Sequence, residues 1–220
     1  ISGYFYEHAA TTNDRKNLAK IRSGEYEGLK EKLLNPTWKP DFGPSEFNPK
    51  TTKAGVTAIS ARDFLIAYNV NINSTSSRRA NAIAFDVREA GRTKRDGNPI
   101  TGKKVMDKNG LPVRVPGMLK AVKGIGWFIE EYGIAQISYN LTNISITSMH
   151  ETFEASVISA TKRGIRVTGS ELVGLVPLKA MLDAADYFLT KQKRSLGISE
   201  NEKIKIAIKS LGLDDLKPFR

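Results

Sequence analysis

The amino-acid sequence predicts an α+β fold, on three observations. Short runs rich in Val, Ile, Phe and Tyr, such as "FLIAYNVNI" at 64–72, are β-prone. Between them lie amphipathic helical stretches, such as "STSSRRANAIAFDVREAGR" at 74–92. From Val56 to about residue 168 the two kinds alternate as β, α, β, β, α, β, with helices after them. That order is the split βαβ, ferredoxin-like plan, an antiparallel sheet with two helices on one side. One such unit is complete, and the first 50 or so residues read as the tail of an earlier one. A composition shift near residues 50 to 55 marks the expected boundary.

Each element has its own signal. Residues 1 to 8 alternate as a strand, with Tyr4 and Tyr6 opposite Phe5. "NDRKNLAKIRSG" predicts a short helix between Asn13 and Gly24. "EYEGLKEKLLN" predicts a second, with Tyr26, Leu29 and Leu33 near one face and Pro36 stopping it. In the helix after Val56, Ser74 or Thr75 is the expected cap, and Ala80, Ile83, Ala84 and Val87 form the apolar stripe. Asn109-Gly110 predicts a hairpin turn between β-prone arms in "KKVMDKNGLPVRV". Two strands are expected around Glu131–Gly133, then a helix from "SMHETF", a strand from "IRVTG", a helix begun by Pro177, and a last helix capped by Ser199 and ended by Gly212.

Composition narrows the function. There are no cysteines, which excludes disulfides and thiolate chemistry. Two histidines, His8 and His150, are too few for a histidine-rich metal centre, and no metal is expected. No apolar run approaches the length of a membrane span, and neither a membrane nor a signal peptide is expected. The chain begins at Ile1, which reads as a fragment or processed product. The net charge of +11 is concentrated: Arg92 to Lys123 holds nine Lys or Arg against Asp96 and Asp107. Such a segment reads either as a solvated insertion or as a groove for a polyanionic tail. It holds no aromatic for base stacking, and no nucleic-acid partner is expected.

Three constellations are candidates for chemistry. "WKPDFGPSEFNPK" at 38–50 holds Trp38, Phe42 and Phe47 on a proline-stiffened segment. It reads as a wall for a flat heteroaromatic ligand, with Asp41 and Ser45 as polar contacts, or as a linker packed by its own aromatics. In "GSELVG", Gly169 and Gly174 can bring backbone close to a ligand beside Ser170 and Glu171, or make a packed turn. His8 beside Glu7 could move protons, and His150 beside Glu151 and Glu154 reads as a capping or packing histidine.

The chain resembles the formiminotransferase domain of glutamate formimidoyltransferase and formimidoyltransferase-cyclodeaminase. The stretches that carry the resemblance include "YFYEHAA", "IRSGEYEGL", "WKPDFGPSEFNP", "ARDFLIAYNVNI", "GIGWFIEEYGIAQISYNLTN" and "GSELVGLVPLKAMLDAADYF". The resemblance implies that 1–54 is the end of an N-terminal subdomain. It makes 55–220 the C-terminal subdomain, with a basic insertion at 93–118. It implies transfer of a formimidoyl group between N-formimidoyl-L-glutamate and tetrahydrofolate, the co-substrate. A formyl donor and a non-catalytic folate-binding module are the alternatives. Carried over, Pro40, Asp41, Phe42, Gly43, Pro44, Ser45, Glu46, Phe47, Asn48 and Pro49 line the folate site. The family's catalytic histidine lies upstream of this sequence, and neither His8 nor His150 matches it, so this segment alone is expected to be inactive. A cytoplasmic homo-oligomer is expected, its partners being folate, a glutamate derivative and the missing N-terminal part of the domain.

Overall fold

The computed structural model describes residues 1–98 and 101–219. Pro99 and Ile100 of the expected 93–118 insertion lie outside the described residues. The chain forms two compact units, Ile1–Asp63 and Phe64–Arg220. Among the described residues, no helix is long and apolar enough to cross a membrane.

In the first unit, β1 (Ser2–Glu7) pairs with β2 (Val56–Ala61), Ser2 opposite Val56 and Glu7 opposite Ala61. The pairing is parallel, which corrects the expectation of antiparallel sheets throughout. Parallel neighbours need a long crossover, and the whole of 8–55 supplies it. This also puts "VTAIS" in the first unit, whereas the sequence reading opened the second with it. The crossover holds α1 (Leu18–Arg22), α2 (Leu29–Leu34) and α3 (Pro49–Ala54), with 3₁₀ turns at Asn13–Arg15 and Pro36–Trp38. The first two helices are shorter than their patterns suggest. Gly24, at φ +81°, and Gly28 pack backbone against backbone and break the run between them. Tyr26 therefore stands outside α2, donating its hydroxyl to the Thr52 carbonyl at 2.9 Å, while Leu29 and Leu33 are buried.

The second unit is built on four antiparallel strands in the order β6-β7-β3-β8. These are β3 (Ile66–Ile72), β6 (Val122–Ile129), β7 (Ile134–Leu141) and β8 (Val167–Val173). Side chains alternate between the sheet's faces. Ile66, Tyr68, Val70 and Ile72 of β3 and Ala135, Ile137, Tyr139 and Leu141 of β7 point into the core. Helix α4 (Ser77–Val87) covers that face with Ala80, Ile83, Ala84 and Val87, the stripe its periodicity predicts. Its cap is Ser76, one or two residues beyond the expected Ser74 or Thr75, and its hydroxyl accepts from the Arg79 N–H. Helix α5 (Met149–Thr161) lies beside α4, while α6 (Leu178–Lys191) packs on α7 (Glu200–Leu211). Ser199 and the left-handed Gly212 bound α7 as expected, and Pro177 is the residue before α6 rather than its first.

Two details fix the site's surroundings. The Asn81 amide clasps Gly126, accepting from its N–H and donating to its C=O, both at 2.9 Å. A methyl at Gly126 would overlap the α4 backbone at Ala80 and Asn81. Gly126→Ala is therefore expected to cost about 1–3 kcal/mol by forcing helix and sheet apart. An unchanged denaturant midpoint would show that α4 yields freely.

The basic insertion is the second detail. Among its described residues, β4 (Arg92–Thr93) and β5 (Arg114–Val115) pair as antiparallel strands, and the arms also meet at isolated bridges, Arg95 with Lys104 and Met106 with Pro112. The turn falls at Asn109-Gly110 as expected, with Gly110 at φ +73° and its N–H on the Asp107 carbonyl at 3.1 Å. The root of the insertion is packed rather than free. Gly91 and Gly117 lie against the backbone of Val115 and Arg88, with no room for a side chain.

Candidate functional site

The proline-rich segment is strapped to β1. The Gly3 N–H donates to the Phe42 carbonyl at 3.0 Å, and the Asp41 N–H donates to the Gly3 carbonyl at 2.9 Å. The Asp41 carboxylate locks this strap. One oxygen accepts from the Phe5 N–H at 2.8 Å, and the other takes the Thr11 hydroxyl at 2.7 Å and the Arg15 guanidinium at 2.6 Å. Both side chains of the ion pair are nearly sealed, Arg15 at 9% and Asp41 at 6% exposure. Arg15 also donates to the carbonyls of Thr37 and Lys39, at 3.2 and 2.6 Å. Burial alone pushes the Asp41 carboxyl up, but the Phe5 N–H, the Thr11 hydroxyl and the Arg15 charge outweigh it and hold the group below its usual range. Asp41 therefore points inward and shapes the turn. The sequence left it either as a polar contact to a ligand or as part of a self-packed linker, and the carboxylate partners described here are protein groups.

The three aromatics do not form one wall. Trp38 packs edge-on against Tyr4, ring centres 6.3 Å apart, and under the Lys32 ammonium at 4.8 Å. Phe42 packs against Phe5 at 5.6 Å. Tyr4 and Phe5 are neighbours in β1 and project from opposite faces, so Trp38 and Phe42 are separated by the strand. Phe42 shares the face of Gly3, where any side chain would overlap its ring. Gly43 follows at φ +80°, with no space for a Cβ against the Ile1 carbonyl. The Ser2 hydroxyl donates to the Pro44 carbonyl. Phe42, Gly43, Pro44 and Glu46 are exposed, Phe42 at 39%. Pro40 is buried, and Ser45 and Phe47 are half-buried. Asn48 and Pro49 start α3: the Asn48 side chain accepts from the Thr51 N–H at 3.1 Å while Thr51 returns a bond to the Asn48 N–H at 2.8 Å. The segment thus presents a rigid lip of Phe42, Gly43 and Pro44, and uses Asp41 and Asn48 to hold it.

The second unit carries a polar cluster on the sheet face opposite α4. Asn69 and Asn71 of β3, Gln136 of β7 and Glu171 of β8 share that face through the register. Gln136 donates to the Asn71 side-chain oxygen at 2.7 Å and reaches Glu171 at 3.4 Å, and Asn69 donates to Glu171 at 3.3 Å. The Gln136 side-chain oxygen is buried and has no hydrogen-bond partner among the described residues. A buried amide oxygen left unpaired is costly, and a ligand donor would satisfy it. Trp127 and Val173 rim the cluster, both exposed. Of the "GSELVG" candidates, only Glu171 joins it. Ser170 turns to the core and donates to the Leu211 carbonyl at 2.7 Å, and Gly169 makes room for Asp215 rather than for a ligand. Gly174 turns the chain at φ +85° in open space.

Sequence reading missed Arg15, Thr11, Asn69, Asn71 and Gln136. The signal for the last three is present: polar residues recur at every second position within "YNVN" at 68–71 and "QISYN" at 136–140. No local pattern marks Arg15, whose partner lies 26 positions away in sequence.

The histidines take different places. His8 is exposed, 3.6 Å from Asp63. His150 stacks on Tyr187 at 4.5 Å, with its Nε2 3.0 Å from the Ser148 hydroxyl. Burial lowers its pKa below 6.5, opposed by Glu151, Asp183 and Glu154. A group whose folded pKa is depressed gives stability above its unfolded pKa, lost as pH falls through the interval below about 6.5. His150→Gln is therefore expected to flatten the decline in melting temperature between pH 7.5 and pH 5. An identical decline in both proteins would remove His150 from the pH response.

Against known families, residues 1–62 match the model of the formiminotransferase domain, N-terminal subdomain, and residues 67–220 match that of the formiminotransferase domain. The chain is 45% identical over 216 residues to the formimidoyltransferase-cyclodeaminase of Dictyostelium discoideum, covering 98% of this chain and 36% of that protein. It is 44% identical to the mouse (Mus musculus) protein of that name, with the same coverage of 98% and 36%. To the glutamate formimidoyltransferase of Streptococcus pyogenes it is 38% identical over 186 residues, 84% of this chain and 53% of that protein.

Proposed function

Since the chain belongs to the formiminotransferase domain family, we propose that it serves a transferase moving a formimidoyl group between N-formimidoyl-L-glutamate and tetrahydrofolate. The observation that carries this reading is the match of both family parts, in order, along one chain. In the same reading the second unit is a ferredoxin-like subdomain. Its β-α-β-β-α-β order and all-antiparallel sheet support that assignment.

The rigid lip supplies an apolar surface for a pteridine ring, with Phe42 held by Phe5 and the Asp41–Arg15 lock beneath it. Taken by itself, the second unit offers Asn69, Gln136 and Glu171, a carboxylate beside amides, which can pair with the amino and carbonyl groups of a polar ligand. In the transfer, the folate N5 lone pair adds to the amidine carbon. The carbon–nitrogen bond to glutamate then breaks, and one proton passes from N5 to the departing glutamate nitrogen. Holding N5 against that carbon is the chain's main contribution. Neither His8 nor His150 is given the proton in this reading; the His150 ring is stacked on Tyr187 beside Ser148.

The test is glutamate release by the full-length protein, with and without tetrahydrofolate, from N-formimidoyl-L-glutamate and from N-formyl-L-glutamate. Folate-dependent release from the formimidoyl donor is expected. Folate binding without release would favour a non-catalytic module, and equal or greater release from the formyl donor would replace the proposed substrate.

A further inference from the structure

The root of the basic insertion borders a cavity on the outer side of α4. Its volume is about 300 Å³, and Arg78, Arg88, Arg92, Arg95 and Arg114 line it together with Phe85. Among the described residues, no carboxylate belongs to the lining. Asp86, which pairs with the lining Arg92, is also shared by Arg163 and the Ser159 hydroxyl. Arg88 lies over the Phe85 ring at 4.2 Å and donates to the carbonyls of Gly91 and Gly124 at 3.1 and 3.0 Å, so its position is fixed. Arg95 is held by the Gly102 carbonyl at 2.7 Å. The side chains of Arg78 and Arg114 have no hydrogen-bond or ion-pair partner among the described residues. Burial, and then the neighbouring Arg114 charge, pushes the Arg88 pKa down, as expected where cations crowd without counter-charge.

Folding alone gives no reason to gather five guanidinium groups around one space. Like charges repel, and lysine at the rim would serve solubility with less order. Arginine differs in presenting planar forks that grip oxyanions in pairs. We propose that this cavity binds the diphosphate chain of a phosphorylated ligand, either free pyrophosphate or a nucleoside diphosphate. A diphosphate concentrates several charges and many acceptor oxygens within one small cavity. A carboxylate chain brings its charges singly, along an extended backbone. The root of the insertion then forms one wall of an anion site, with Arg92, Arg95 and Arg114 beside Arg78 and Arg88 of α4 and its C-terminal end. The assignment stands apart from the transferase reading, since none of these residues belongs to the lip or to the polar sheet face.

Calorimetric titration of the full-length protein with inorganic pyrophosphate and with ADP tests it. Both Arg78→Gln/Arg114→Gln and a charge-matched control, Lys103→Gln/Lys108→Gln, are measured beside the wild type. Neither pair removes an interaction that holds the fold, and a thermal melt verifies this. Saturable binding is expected in the wild type and the control, weakened about tenfold or more in the arginine variant. Tighter ADP than pyrophosphate assigns a nucleotide, and the reverse assigns the free anion. The proposal is overturned if neither ligand binds, if the control loses as much as the arginine variant, or if a tri-γ-glutamate peptide binds this cavity more tightly than both.

Discussion

Asp41→Ala is expected to destabilise the first unit by about 3–5 kcal/mol, the cost of leaving the buried Arg15 guanidinium without its counter-charge. The variant also strips acceptors from the Phe5 N–H and the Thr11 hydroxyl. Arg15 keeps two carbonyls, but carbonyls do not neutralise it. A double variant, Asp41→Ala/Arg15→Met, is expected to recover part of the loss, because it removes the orphaned charge as well. The pH dependence has a definite sign. The Asp41 pKa is lowered on folding, so its contribution is complete above the unfolded value of 3.8 and is lost as pH falls below it toward the folded value. Denaturant titrations of the four proteins, at neutral and acid pH, measure this. A single-variant loss under about 0.5 kcal/mol would mean that the lock contributes no more than a surface pair.

Phe42→Ala is expected to weaken binding of a stable tetrahydrofolate analogue by about 1–3 kcal/mol, roughly 5- to 150-fold in Kd. The fold should lose less, since Phe42 is 39% exposed and, among the described residues, its ring packs against that of Phe5. Gly3→Ala provides a separate route to the same effect. The added methyl would displace the Phe42 ring while leaving its atoms intact. Both variants should weaken the ligand while melting close to the wild type. Wild-type affinity in Phe42→Ala would return the segment to the role of a self-packed linker.

These two residues show what was legible in the chain. Proline and glycine spacing in "WKPDFGPSEFNPK" announces a rigid irregular segment, and the segment is one. What spacing cannot give is the direction of each side chain, which β1 decides from more than 30 residues away, turning Trp38 to one face and Phe42 to the other. The helix stripe of Ala80, Ile83, Ala84 and Val87 was readable because a helix's buried face is a local property of period 3.6. The partnership of β1 with β2 was not, because a parallel pair joined by a long crossover leaves no turn signal. The polar cluster falls between these cases. Alternation places Asn69, Asn71 and Gln136 on faces, but only the register brings the faces together.

In the proposed reaction the transferred group is a formimidoyl carbon and its acceptor is folate. This is tested most directly by following a ¹³C label in that carbon during turnover of the full-length protein. The account predicts that the label leaves N-formimidoyl-L-glutamate and reappears on tetrahydrofolate N5, with one unlabelled glutamate released per label moved. Label recovered only as free formate or formamide, with the folate unlabelled, would contradict it.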